Sequence, residues 1–204
     1  MEEMRKIRFL AANFSALQGL KAVPVSLLLI LVVLWANAQH GRASNLTFPI
    51  LAAALSAALF WLILRYYQKQ YGKVERTPQD RRLEYGLNFL GGVLALTAFF
   101  MDTHFDLPFS LVGLVFALAF LTEYFRMNRL GKGHYRLPGS LASCLIVLIA
   151  SLLPLFGFPN WWQTLGLRIQ LFGVLLVVGI DLLLSGLWTH GYLIRQLHRV
   201  QGGR

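Results

Sequence analysis

One cysteine in 204 residues excludes an internal disulfide and any cysteine-rich metal site. Cys144 itself sits inside an apolar run, where a thiolate is disfavoured, and reads as small core filler. Acidic residues are also scarce, nine Asp and Glu against 19 Lys and Arg, so the aspartate clusters on adjoining helices that two-metal lipid transferases need cannot be assembled. The five histidines are scattered. His40 and His104 fall in one set of connections, His134 and His198 in basic segments, and His190 near the end of the last apolar run. No two share the depth that a membrane haem requires. The HExxH, GxSxG and Walker A patterns are absent. No cofactor is implied and no catalysis is expected.

What the chain does have is apolar surface: 56% hydrophobic residues, only 14% charged, and a mean hydropathy of +0.57. A soluble domain of this size would hardly find interior for so much, so the expected solvent is lipid. A net charge of +10 and a pI of about 10.3 would suggest nucleic acid in a soluble protein. Here the excess belongs to membrane-flanking loops, and no groove-reading or base-stacking module is present.

Crossing a bilayer takes about 20 mainly apolar helical residues, because every backbone donor and acceptor must be paired within the segment. Six segments approach that length: 23–37, 48–64, 87–101, 109–123, 140–156 and 167–189. Of the 19 Lys and Arg, all but Arg42 and Arg168 then fall on one face. The fold expected is an all-α membrane protein of six transmembrane helices in three antiparallel hairpins, with both termini cytoplasmic. Residues 1–22 form the first unit, 23–190 the bundle, and 191–204 a basic cytoplasmic tail.

Within the first unit Ile7, Leu10, Phe14 and Leu17 recur at helical spacing, with Arg5, Lys6 and Arg8 mostly elsewhere on the wheel. This predicts an amphipathic helix on the inner leaflet. The basic start is followed by mixed polarity up to Lys21 and by no clear small-residue cleavage motif, so the segment is expected to be retained.

The even-numbered helices end alike, through aromatic residues into a basic turn near glycine: Tyr66, Tyr67, Lys69, Tyr71, Gly72 and Lys73; Tyr124, Phe125, Arg126, Arg129 and Gly131; Tyr192, Arg195, Arg199 and Gly202. Duplication of a hairpin would give this echo, and so would the common composition of membrane exits. The stretch from Tyr66 to Val74, followed by Thr77, Pro78, Arg81 and Arg82, resembles a loop of uncharacterised bacterial polytopic membrane proteins of similar size. The resemblance implies a bacterial inner membrane and no activity.

Asp181 stands out, because it interrupts the apolar run 171–184. An ionised carboxylate at mid-membrane costs about 3 kcal/mol or more unless it is paired. Asp181, Ser185 and Trp188 share one helix face, so two roles stay open. One is a proton- or cation-accepting carboxylate facing a cavity; the simpler is a protonated packing device bonded to Ser185 or to another helix. Glu84, Asn88 and Gly91, continuing through Gly92 and Ala95, make a second stripe. Its small residues predict close approach of another helix, with Asn88 bonding across the contact. Asp102, His104 and Asp106 lie in one tight connection ending at Pro108. They read as a polar turn capping the next helix, a divalent-cation site being the alternative. Glu84 and Glu123 are expected to pair with Arg81, Arg82 and Arg126. Trp161 and Trp162 read as an interfacial belt, and the acceptor pattern at Asn45 to Thr47 as chance.

With no reaction announced, the expected function is an accessory component that binds a partner subunit or anionic lipid headgroups through its basic face. Lys69, Lys73, Arg76, Arg81, Arg82, Arg126, Arg129, Lys132 and Arg136 are the binding candidates. The rival expectation is a small proton-coupled carrier of a small or amphipathic solute, with Asp181 as coupling group. A lipid-modifying enzyme built on Asp102, His104 and Asp106 is the third and least expected.

Overall fold

The structure, a computed structural model, describes residues 17–39, 46–71, 78–105, 107–130, 138–156 and 170–202. All regular structure among them is helical. A 3-10 turn, Gly19–Lys21, leads into α1 (Ala22–Ala38), followed by α2 (Thr47–Tyr71), α3 (Pro78–His104), α4 (Leu111–Leu130), α5 (Pro138–Leu152) with a 3-10 extension Leu153–Phe156, and α6 (Gln170–Gly202). The amphipathic segment 1–16, Asn45, Trp161 and Trp162 lie outside the described residues.

Five stretches are long and apolar enough to cross a bilayer: Gly19–Ala38, Thr47–Gln70, Tyr85–His104, Gly139–Phe156 and Leu171–Gln196. These mark an integral membrane protein. The sixth helix, α4, becomes polar over its last turns with Thr122, Glu123 and Arg126. Proline sets several starts: Pro78 and Pro138 open α3 and α5, and Pro24 and Pro49 lie in the first turns of α1 and α2. An N–H has no intrahelical acceptor at those positions, so its absence costs nothing. Four helices run well past the apolar segments expected. The start of α3 lies within the basic connection, α2 continues to Tyr71, α4 to Leu130, and α6 runs unbroken to Gly202, taking in most of the expected tail.

Packing arranges the helices around α6, which touches α1, the first 3-10 turn, α4 and α5. Beyond this group α2 packs on α1, and α3 packs on α4. Burial follows the same order: 39% of the apolar window of α6 is buried against 6% in each of α2 and α3, so those two are peripheral. Lipid gives helices no hydrophobic reason to associate, so close contact depends on small side chains. Gly179 of α6 lies against Ser26 and Ile30 of α1, and a Cβ built on Gly19 would stand 2.0 Å from the carbonyl oxygen of Gly186. The other seam joins Ala117, Cys144, Val147, Val174 and Val178 of α4, α5 and α6. Cys144 is thus core filler, as its setting predicts.

The small-residue stripe of α3 behaves differently. Asn88 is exposed, and a Cβ on Gly91 or Gly92 would meet nothing within 4 Å. The described part of the chain covers only the far end of this face: Ala98, two turns beyond Gly91 on the same side, packs toward Val112 and Leu171, while the part around Asn88 is left open.

Candidate functional site: a hydroxyl-lined cavity near Asp181

Contacts bring the end of α2 against the later half of α6 and the first 3-10 turn. Tyr67, near the end of α2 and 1% exposed, has its Oη 2.8 Å from Nδ1 of His190 in α6. The Leu20 N–H donates to the same phenol oxygen at 3.4 Å. With Nδ1 as the unprotonated ring nitrogen, the phenol O–H is the donor of this bond. The later half of α4 contributes Glu123, which accepts a 2.7 Å hydrogen bond from Arg126 one turn later, the ion pair that the spacing suggests.

Between the middle of α4, the middle of α6 and the starts of α1 and α5 lies a cavity of about 430 Å³. Phe120, Ala142, Leu182 and Trp188 give it largely apolar walls, Ser140, Ser143, Ser185 and Thr189 supply hydroxyls, and Asp181 lies behind Ser143 rather than in the lining. Two of those hydroxyl protons are committed to the helix backbone: Ser185 Oγ donates to the Leu182 carbonyl at 3.3 Å and Thr189 Oγ1 to the Ser185 carbonyl at 2.7 Å. Ser143 is hydrogen-bonded instead to the carboxyl of Asp181, one helix away. Asp181 is 9% exposed, and its Oδ2 has no hydrogen-bond partner among the described residues.

Asp181 and Ser185 therefore share a helix face without bonding to each other; the partner of the carboxyl is across the helix contact. Asn88 takes no part, being on the exposed side of α3. Of the basic candidates, Lys69 and Arg82 are exposed and Arg126 is half-buried. The side chains of Arg81 and Arg129 lie outside what is described, as do Lys73, Arg76, Lys132 and Arg136 altogether. Arg65, not among the candidates, lies 3.9 Å over the ring of Trp61, a cation-π contact typical of an interfacial cation. The Tyr67 to His190 pair was missed as well, since its members are 123 residues apart.

At the opposite end the Asp102 carboxylate caps α4. It accepts from Ser110 Oγ at 2.7 Å, from the Leu111 N–H at 2.8 Å and from the Val112 N–H at 3.0 Å. His104 Nδ1 lies 2.9 Å from the Phe100 carbonyl, and its ring stacks on that of Phe100. This is the capping turn that the Asp102 to Pro108 connection predicts. Among the described residues no group of three His, Cys, Asp or Glu is placed to hold a metal ion. Asp106 is outside them. No protein-family model, curated protein or solved structure matches the chain.

Proposed function

We propose that the chain is a non-catalytic component of a bacterial inner membrane, crossing it with six helices as three antiparallel hairpins. Both termini are cytoplasmic, with an amphipathic N-terminal helix on the inner leaflet. The basic cytoplasmic face holds anionic lipid headgroups and, through them or directly, a partner subunit. The observation that carries this reading is that the Tyr67 to His190 bond ties the end of α2 to the later half of α6, and that the cavity brings α4 to the same stretch of α6. Exposed Lys69, at the end of α2, belongs to that set. Clustered Lys and Arg next to a membrane attract anionic headgroups by about 1 kcal/mol each. The uncovered Asn88 and Gly91 stripe supports a partner helix lying on α3. Native mass spectrometry of the protein extracted with its lipids tests the proposal. Replacing Arg76, Arg81 and Arg82 together by Ala should strip bound anionic lipid or co-purifying protein, and unchanged retention of both would refute it.

A second reading, a small proton-coupled carrier, is favoured by one observation: the unpartnered Oδ2 of Asp181 beside a cavity. Proteoliposomes carrying a pH-sensitive dye under an imposed pH gradient should dissipate it faster with the native protein than with Asp181→Asn. Equal rates would remove Asp181 from any coupling role.

A further inference from the structure

Ser143 belongs to two places at once. Its side chain is hydrogen-bonded to the carboxyl of Asp181, and it lines the cavity that the carboxyl itself does not reach. One hydroxyl therefore separates a buried acid from a space of about 430 Å³, far more than a single water needs. The walls of that space carry their hydroxyls in two columns. Ser140 and Ser143 are one turn apart on α5, and Ser185 and Thr189 one turn apart on α6. Ser185 and Thr189 give their protons to carbonyls of their own helix, which leaves oxygen lone pairs to hold water.

On its other side Asp181 meets a dry seam. Val178 and Val174 lie one and two turns before it on α6, Val147 lies one turn after Ser143 on α5, and all three are fully buried in one cluster. The charged groups of the neighbouring helices are engaged elsewhere or distant. α1 carries no titratable side chain, and α5 only the Cys144 thiol. On α4 Glu123 and Arg126 pair with each other. On α6 itself His190 is bonded to Tyr67, and Arg195 lies nearly four turns beyond Asp181. Lys21 stands at the entry to α1. Among the described residues, Ser143 is the side chain that bonds the carboxyl.

We infer that Ser143 relays protons between the cavity and Asp181. A hydronium in the cavity gives its proton to Ser143 Oγ and becomes water, while the original proton of the serine passes to the carboxylate. The acid then donates to Oγ, whose new O–H faces the cavity. The reverse steps return the proton, and nothing is consumed. Because the valine seam closes the other side, the carboxyl exchanges through the cavity alone. This deepens the carrier reading and rests on the carboxyl that reading invokes, yet exchange is measured with no transport taking place.

Deuterium exchange at the carboxyl tests it. The full chain in lipid nanodiscs is moved from H2O to D2O, and the carbonyl stretch of protonated Asp181 is followed by infrared difference spectroscopy. The band is assigned by its loss in Asp181→Asn. Ser143→Ala should slow its exchange about tenfold or more, the effect of removing a positioned proton donor. Ser143→Thr, which returns a hydroxyl, should restore the rate. Ala142→Trp, which fills the cavity and leaves both relay groups in place, should slow exchange as well. Absence of any acid band that Asp181→Asn removes, a native rate in Ser143→Ala or in Ala142→Trp, or no recovery in Ser143→Thr would each overturn the inference. Relayed exchange without dissipation of an imposed pH gradient would uphold the relay and remove only the carrier reading. Dissipation that is lost in Asp181→Asn, with exchange indifferent to Ser143→Ala, would do the reverse.

Discussion

Asp102 and Asp181 are carboxyl groups at opposite ends of the same problem, how to keep an acid in an apolar bundle. Asp102 is engaged by two backbone N–H groups and a hydroxyl at the start of α4, where the helix leaves orphan donors that need an acceptor. Asp102→Ala should therefore lower stability by about 1–2 kcal/mol, as loss of a helix cap does. Asp102→Asn, which keeps one acceptor oxygen, should cost less; denaturant unfolding in mixed micelles measures both. This role was legible in the sequence because acceptor and donors flank one short connection, Asp102 in the last turn of α3 and the donors at the start of α4. The surroundings of Asp181 were not, since Ser143 comes from a separate helix and no spacing relates the two. Tyr67 and His190 left only a weak signal, two polar-tipped aromatics near the same membrane end of their helices.

Among the helices, hydropathy located five stretches long and apolar enough to cross a membrane, but not their true lengths. Charged residues end an apolar run without ending a helix, so α2, α3, α4 and α6 continue into what reads as loop. The prolines at 78 and 138 mark the real starts of α3 and α5 and were the better guide. Glycine content was equally ambiguous: the stripe on α3 looks like a packing face and is uncovered, whereas Gly186 and Gly19 do pack against each other. A Cβ on Gly186 would lie 2.7 Å from the Gly19 carbonyl oxygen, a backbone atom with little room to retreat. Gly186→Ala should destabilise the bundle by about 1–3 kcal/mol. Gly91→Ala, with nothing within 4 Å of the new carbon, should shift stability by no more than about 0.5 kcal/mol. Thermal unfolding of the two variants in the same detergent provides the comparison, and equal losses would contradict the α1 to α6 crossing.

At the scale of the whole molecule the proposed topology puts the connections after α2 and after α4 on one side. In a Cys144→Ser background, Lys73→Cys and Lys132→Cys should both react with a membrane-impermeant maleimide in inside-out vesicles and resist it in intact cells. Labelling from opposite sides would dismantle the six-crossing arrangement. The overall class was readable from composition, because 56% hydrophobic content admits few soluble solutions. The order of the helices was not, since apolar segments in lipid are interchangeable until small residues and buried polar atoms decide who touches whom.

Because α6 is one unbroken rod of 33 residues, its contacts share a common angular register. A single residue inserted between Asp181 and Gly186 would swing everything after it by about 100°. Carboxyl and serine would still meet, while the glycine crossing and the tyrosine latch would face lipid. Substitutions along this shaft can be absorbed one at a time; a change in its count cannot.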